Sequence, residues 1–293
     1  MAKRPLRRLL ARALDRFWGL DDIEFEVSDD PLGFAPLAGD TSLEQAAHAL
    51  SGAGRVLVFA GSGLSAESGV ATFRDKHAGA LYDDETVRSS TNALTFDTDP
   101  EPQLAWHQLW REVILDAQPH EGMRALARIL GRIPDALVVT QNVDDLMERA
   151  ALEVGVELEI VHLHGEIDRV KCHERAHARD LAAGERFDAL GACDVCGGRM
   201  RPDVVWFGEP LDPDVVARAV DFARRSDVCL IVGTSGLVQP AAALPSAARH
   251  GGARVLEINP HESALTDLCD ARISSGALDA LVALEGALLG HGD

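Results

Sequence analysis

The sequence lacks any apolar run long enough to span a membrane, and it lacks the even set of cysteines that a disulfide framework needs. Its five cysteines, an odd number, favour a reducing compartment. Positive charge is also scarce, because 28 lysine and arginine residues stand against 47 acidic residues, a net charge of -19. This field repels phosphate backbones and anionic lipid surfaces, so we do not expect nucleic acid binding. The lack of a long apolar run predicts no stable membrane insertion.

Residues 1–40 are predicted to be an arm that precedes the folded body of residues 41–293. We interpret the arm as a helix packed on the body; a mitochondrial transit peptide and a surface-binding segment are the alternatives. A composition rich in alanine and arginine and poor in lysine favours a bacterial, cytoplasmic protein. The basic residues that alternate with apolar ones in the arm are Lys3, Arg4, Arg7, Arg8, Arg12 and Arg16.

Beyond the arm, short apolar runs recur, and each ends in a cluster of small or polar residues. Near-continuous apolar runs are typical of strands covered on both faces, as in a parallel sheet. Helical patterns over 121–132, 143–153 and 212–225 intervene, so we predict an α/β fold with helices on both faces of the sheet. The runs cover residues 56–59, 136–139, 160–163, 228–232 and 255–258.

Ligands of an open parallel sheet bind beyond the carboxyl ends of its strands, so the polar clusters there are candidate sites. The first cluster is Gly61-Ser-Gly-Leu-Ser-Ala-Glu-Ser-Gly69. Its glycines would let the backbone approach a pyrophosphate, and a helix starting there would offer free amides to the charge. Its G-x-G-x5-G spacing is not the usual dinucleotide fingerprint, so the loop alone fits a nucleotide site and a plain glycine turn equally well.

The loop runs on through Val70-Ala-Thr-Phe-Arg-Asp75, and the whole stretch resembles the signature of the sirtuin (Sir2) family. Further motifs follow in that family's order within about residues 43–285, at 140–146, 163–165, 204–209, 233–235 and 258–259. The resemblance implies an NAD-dependent protein-lysine deacylase. It also implies a Rossmann-like part at about 43–74, 119–165 and 207–285, with a smaller module at about 75–118 and 166–206.

The resemblance implies a site with NAD as co-substrate and His164 as the catalytic base. The acyl oxygen of the substrate would displace nicotinamide, and His164 would activate a ribose hydroxyl that attacks the resulting imidate. Water would then release free lysine and O-acyl-ADP-ribose. A histidine suits this step because its ordinary pKa of about 6.5 allows it to accept a proton near neutral pH. The resemblance implies that Asn142 and Asp144 are also catalytic residues. The NAD-binding residues implied are Gly61, Ser62, Gly63, Glu67, Thr72, Phe73, Arg74, Gln141, Asn142, Asp144, Gly233, Thr234, Ser235 and Asn259.

Three cysteines form an incomplete zinc motif, because Cys172 lies upstream of the pair Cys193-x-x-Cys196. The family typically has two such pairs, and the position three after Cys172 is Arg175. We predict a structural zinc site with His173 or His177 as the candidates for a fourth ligand. An empty knuckle and a redox-active thiol pair are the alternatives.

The acyl-binding region departs from the most similar branch of the family, the desuccinylase type. That branch recognises an acidic acyl chain with a Tyr-x-x-Arg pair, whose positions here hold His107 and Trp110. Since tryptophan cannot contact a carboxylate as arginine does, we expect acetyl or a longer neutral acyl group to be preferred over succinyl, unless Arg111 supplies the charge. The acyl peptide is expected to add as a strand between the segment Val205, Trp206, Phe207, Gly208 and Glu209 and the loop around Val238.

Two other functions compete with deacylation. An NAD glycohydrolase or mono-ADP-ribosyltransferase would use the same NAD site, but it would not require the acyl-peptide-binding strand that the resemblance implies at 204–209. A non-catalytic NAD-sensing module would not require the complete set of Gln141, Asn142, Asp144 and His164. We therefore expect acyl-lysine proteins or peptides as partners.

Overall fold

The computed structural model describes residues 41–72, 91–175 and 177–290, so the predicted arm and the candidates Phe73 and Arg74 lie outside the described residues. The chain divides into two units. Among the described residues, the large unit comprises 41–71, 118–164 and 210–290, and the small unit comprises 72, 91–117 and 165–209 without residue 176.

The elements of the described residues alternate between strand and helix along most of the chain. The strands are β1 (Arg55–Ala60), β2 (Asp135–Thr140), β3 (Glu159–His162), β4 (Gly165–Cys172), β5 (Ala178–Asp180), β6 (Met200–Val204), β7 (Val228–Val232), β8 (Arg254–Ile258) and β9 (Ala271–Ile273). The helices are α1 (Thr41–Ser51), α2 (Ala93–Thr98), α3 (Glu101–Asp116), α4 (Glu121–Leu130), α5 (Leu146–Glu153), α6 (Pro213–Arg224), α7 (Leu244–His250) and α8 (Ala277–Gly290).

The large unit is built on a six-stranded sheet in the order β3-β2-β1-β7-β8-β9, and every neighbouring pair is parallel. One face of the sheet, which includes Leu57 and Phe59, packs against α6 and α7 in a single buried cluster. The alternate residues Val56 and Val58 are also fully buried. On the other side α8 contacts α1 and α4, α4 contacts α5, and α1 contacts β9. The predicted Rossmann-like α/β fold is confirmed.

The strand order creates a switch point between β1 and β7. The chain runs outward from β1 through β2 to β3, and later returns beside β1 with β7 before it proceeds to β8 and β9. The connections that follow β1 and β7 therefore lead to opposite halves of the sheet, and ligands of open α/β sheets bind in the crevice at such a switch point.

The small unit contains the antiparallel sheet β5-β4-β6 together with α2 and α3. Its core is aromatic, since Phe96, Trp106, Phe187 and Trp206 are all buried. Helix α3 packs against β4, β6 and the short turn at Phe187–Ala189. Within the ranges that the structure describes, no helix is both long and apolar enough to cross a membrane.

Candidate active site and metal centre

The loops that follow β1 and β7 meet backbone to backbone. The amide of Gly63 donates to the carbonyl oxygen of Gly233 at 2.8 Å, and the amide of Gly61 donates to that of Val232 at 2.9 Å. A Cβ on Gly63 would lie 2.6 Å from the Cα of Gly233, and a Cβ on Gly61 would lie 2.8 Å from the Gly233 oxygen. These glycines are therefore required by contact between the two loops, in addition to any need for close approach by a pyrophosphate.

The glycine loop contains no α-helix, and none starts in the described residues that follow it up to residue 72, so the expected helix start is not found there. It folds into two single turns, Ser62–Leu64 and Ala66–Ser68, and ends at Gly69 with a φ of 91°. Its amides are also engaged, because Leu64 N–H donates to Gly61 and Ser65 N–H donates to Ser62. The high glycine content, which disfavours a continuous helix, explains the difference.

Three polar residues form a buried chain of hydrogen bonds behind this loop. The side-chain amide of Asn142 donates to Oγ of Ser65 at 3.0 Å, and that hydroxyl donates to Oδ2 of Asp144 at 2.9 Å. Burial raises the pKa of Asp144 to about 6, although its hydrogen bonds with Ser65 and the Leu146 amide act in the opposite direction. Ser65 was missed as a site residue, although it lies within the glycine motif itself.

A second group of predicted NAD residues is joined at the ends of β2, β7 and β8. The side-chain amide of Gln141 donates to Oγ1 of Thr234 at 2.9 Å, and the amide of Asn259 donates to the Thr234 carbonyl oxygen at 2.9 Å. Ser235 follows directly and accepts from the Ala264 amide at 3.1 Å. The structure thus brings these four residues of the large unit together.

Glu67 has a structural contact that the sequence did not indicate. Its Oε2 accepts from the Leu278 amide at 2.7 Å, in the first turn of α8, and its side chain would collide with any Cβ on Gly276. A carboxylate in that position accepts a hydrogen bond from a free amide at the helix start and interacts favourably with the helix dipole. Thr72 and Ser62 are half-buried in the same segment of chain.

His164 is held in one tautomer by the backbone. Its Nδ1 lies 2.8 Å from the carbonyl oxygen of Gln141, and because a carbonyl only accepts, Nδ1 carries the proton. In the neutral ring Nε2 is then the basic nitrogen. His164 therefore has the form that a proton acceptor requires, and the residue that orients it belongs to the group bound to Thr234.

His120 is another residue that the motifs did not indicate. Its Nε2 donates to the carbonyl oxygen of Leu64 at 2.8 Å, while its Nδ1 accepts from the Met123 amide at 3.3 Å and so caps α4. Burial lowers the pKa of this ring below its ordinary value. The neutral ring joins the glycine loop to the start of α4.

In the small unit, the predicted strand over 204–209 is wrong, because β6 ends at Val204. The next five residues form an irregular segment that turns at Gly208, with a φ of 89°. Glu209 fixes this turn: Oε2 accepts from the Trp206 amide at 2.9 Å, and Oε1 pairs with the buried Arg201. Its carboxylate is thus engaged by Trp206 and by Arg201 of β6.

The remaining predicted peptide-binding residues are positioned as follows. Val205 is half-buried, and Phe207 is 37% exposed while its amide donates to the Thr91 oxygen at 2.8 Å. Val238 belongs to the large unit, is half-buried, and accepts from the Ala242 amide at 2.9 Å.

His107 is buried within the small unit, with both ring nitrogens engaged. Nδ1 donates to the Gln103 carbonyl oxygen at 2.8 Å, and Nε2 accepts from the indole N–H of Trp206 at 3.1 Å. Burial lowers the pKa of His107 to about 4, so the ring is neutral at physiological pH. Arg111 pairs with Asp168 at 2.8 Å, and Trp110 stacks on Trp106 with ring centroids 6.4 Å apart.

The cysteine motif is completed by a histidine. The ligand atoms of Cys172, His177, Cys193 and Cys196 all lie within 4.8 Å of one another. Cys172 Sγ is 3.4 Å from Cys196 Sγ, and Cys193 Sγ is 3.6 Å from Nδ1 of His177. A tetrahedral zinc ion with bonds of about 2.1 to 2.3 Å separates its ligand atoms by roughly 3.4 to 3.8 Å, so this donor set fits structural zinc.

His173, the other candidate ligand, is used elsewhere. Its Nε2 lies 2.9 Å from Oδ1 of Asp97, and its ring packs on Phe96 at 4.9 Å between centroids. The hydrogen bond from His177 lowers the pKa of the Cys193 thiol, which favours the thiolate that binds metal. All five cysteines are free thiols in the structure.

Comparison with known proteins identifies the family. The fold and the polar strand ends define a nucleotide-binding α/β protein with a zinc-type module. The model of the Sir2 family matches residues 61–240. The chain belongs to the Sir2 family.

Relatives of the chain have a consistent description. NAD-dependent protein deacylase 1 of Archaeoglobus fulgidus is 38% identical over 232 residues, covering 78% of this chain and 91% of that protein. NAD-dependent protein deacylase of Aquifex aeolicus is 36% identical over 226 residues, covering 77% and 92%. A mutant Sir2 homologue in complex with ADP-ribose superposes with a TM-score of 0.77 at 34% identity, covering 85% of this chain and 97% of that one.

Proposed function

We propose that this protein removes acyl groups from protein lysines with NAD as co-substrate, releasing nicotinamide and O-acyl-ADP-ribose. The observation that carries the proposal is His164, whose Nδ1 proton is committed to the Gln141 oxygen at 2.8 Å so that Nε2 is the basic nitrogen. The names of the relatives, NAD-dependent protein deacylases, support the same reaction.

In this proposal the strand-end groups bind and orient NAD. Gln141, Thr234 and Asn259 hold one another at the switch point, where the dinucleotide of an α/β protein binds. Asn142 and Asp144, linked through Ser65, would hold the nicotinamide and its ribose. Because these side chains are already fixed in the protein without NAD, the binding of NAD costs less conformational entropy. Nε2 of His164 would accept the proton of a ribose hydroxyl.

We also propose that acetyl or another neutral acyl group is preferred over succinyl. The buried His107 is neutral, and Arg111 is already paired with Asp168. Trp110 cannot form a bidentate contact with a carboxylate. A succinyl carboxylate would then lose its water without gaining a cationic partner, which is unfavourable.

We also propose a cytoplasmic location, which free thiols favour.

Zinc would be held by Cys172, His177, Cys193 and Cys196, and would supply only structural cross-linking. It would fix the turn between β4 and β5 against the knuckle at 193–196, as structural zinc sites do. The predicted alternatives, an empty knuckle and a redox pair, are less favoured because four donor atoms converge on one point.

The experiment follows the mass of acyl-lysine peptides and the release of nicotinamide together, with acetyl, long-chain and succinyl peptides. We expect deacylated peptide and nicotinamide in equal amounts, fastest with a neutral acyl group. Nicotinamide release with unchanged peptide would instead support the NAD glycohydrolase, and no reaction would support the NAD-sensing module. Faster turnover of succinyl than of acetyl or fatty-acyl peptide would overturn the acyl preference alone.

A further inference from the structure

His162 has an oxygen against each of its two ring nitrogens. Nδ1 is 2.8 Å from the backbone oxygen of Asn142, and Nε2 is 2.6 Å from Oε1 of Glu148. A neutral imidazole has a single N–H and would turn a lone pair towards one of these oxygens. The doubly protonated ring satisfies both, and the proton resides on the imidazole because a carboxylic acid is the stronger acid.

Two carboxyl groups among the described residues favour a positive charge on this ring. Glu148 faces it from α5, and Asp144 interacts with it electrostatically from the turn after β2. The His162 side chain is only 8% exposed, so water does not compete for its two hydrogen bonds. On its own element, the neighbouring His164 is engaged with the Gln141 oxygen instead.

The contact of His162 is made with a residue at the centre of the candidate site. Asn142 accepts from His162 through its backbone oxygen and donates through its side chain to Ser65, which donates to Asp144. We propose that His162, held as an imidazolium by Glu148, is a positioning residue that fixes Asn142 and, through it, the Ser65–Asp144 pair. The kinetic consequence rests on the proposed function, whereas the protonation state does not.

Two substitutions separate the two contacts. The amide nitrogen of His162→Asn occupies the place of Nδ1 and keeps the bond to the Asn142 oxygen, whereas that of His162→Gln occupies the place of Nε2 and keeps only the contact with Glu148. We expect His162→Gln to lower kcat about tenfold with KM for the acyl peptide within about twofold, and His162→Asn to keep kcat within about threefold of the wild type. Equal kcat losses in both variants, or losses that follow their melting temperatures, would overturn the proposal.

Nitrogen-15 NMR of protein with labelled histidines measures the protonation of the His162 ring and does not depend on turnover. At about pH 7 we expect both nitrogens of His162 to be protonated in the wild type, with the signal assigned by its loss in His162→Asn. Glu148→Gln, which removes the negative charge but keeps an amide within reach, should convert the ring to its neutral Nδ1–H form. A neutral ring in the wild type overturns the proposal. A charged ring in a protein that does not deacylate overturns the proposed function instead.

Discussion

Gly63 and Gly233 are in direct contact, with the amide of the first bonded to the carbonyl of the second at 2.8 Å. The two residues belong to the loops after β1 and β7, on either side of the switch point of the sheet. A side chain on either glycine would push these loops apart, because each Cβ would meet the other's Cα at 2.6 Å. The shape of the candidate NAD site therefore depends on the absence of side chains at these two positions.

The first prediction concerns this contact. Gly63→Ala should destabilise the protein by about 2 kcal/mol or more, since the neighbouring backbone has no room to move away. Urea denaturation measures the change. Gly286→Ala is the matched control: Gly286 lies within α8 with open space around it, so alanine there should stabilise by about 0.5 to 1 kcal/mol. Equal effects of the two substitutions would contradict the contact.

The second prediction concerns Asp144, whose pKa burial raises to about 6. The folded protein holds this proton more tightly than the unfolded chain, so the contribution of Asp144 to stability is lost as the pH rises from about 4 to 6. Asp144→Asn should therefore raise the free energy of unfolding by about 3 kcal/mol at pH 8 and leave it nearly unchanged at pH 4, while deacylation is lost. Urea unfolding at both pH values checks this.

The neighbouring carboxyl group provides the control for that experiment. Asp145 is 39% exposed and pairs with Arg149, so Asp145→Asn should change stability by less than about 0.5 kcal/mol at either pH. An Asp144→Asn variant whose gain is the same at both pH values would show that burial does not perturb Asp144.

The third prediction distinguishes the two histidines near the cysteines. His177→Ala should lower the zinc content of the purified protein and its melting temperature, because it removes one of four converging donors. His173→Ala should keep the full zinc content, since that ring bonds to Asp97. Metal analysis by mass spectrometry measures both. Retention of zinc by His177→Ala together with loss by His173→Ala would reverse the assignment.

The fourth prediction concerns acyl selectivity. Trp110→Arg introduces a cation at the position that we align with the arginine of the desuccinylase-type branch, so it should raise the ratio of succinyl to acetyl turnover by about tenfold or more. Trp110→Phe keeps the position neutral and should leave the ratio within about twofold. An unchanged ratio in Trp110→Arg would mean that residue 110 does not face the acyl group.

Much of the fold was predictable because each central strand is a short, continuous apolar run in the sequence. The apolar run 228–232 became β7 with the same bounds, and helix α6 begins one residue after its predicted start, where Asp212 caps the helix and Pro213 opens it. The predicted strand at 204–209 failed because long-range contacts decided it. The clamp of Glu209 by the buried Arg201 turns the chain there, and an apolar pattern contains no sign of such a contact.

The sequence motifs predicted which residues belong to the candidate site, but not the hydrogen bonds between them. His164, Gln141 and Asn259 were recognised individually, but the bonds that connect them run between separate strands. Spacing alone could not choose between His173 and His177 either, because Asp97, which engages His173, lies 76 residues away in sequence. Such pairings are consequences of the fold and become visible only in three dimensions.

In the proposed reaction, Nε2 of His164 serves as the base for transfer of the acyl group to the ADP-ribose part of NAD. The most direct measurement is the mass of the nucleotide product formed with an acetyl-lysine peptide, in the wild type and in His164→Ala. We expect O-acetyl-ADP-ribose in equal amount to deacetylated peptide in the wild type, and neither product in the variant. Unmodified ADP-ribose as the initial product, or O-acetyl-ADP-ribose formed at an undiminished rate by His164→Ala, would contradict it.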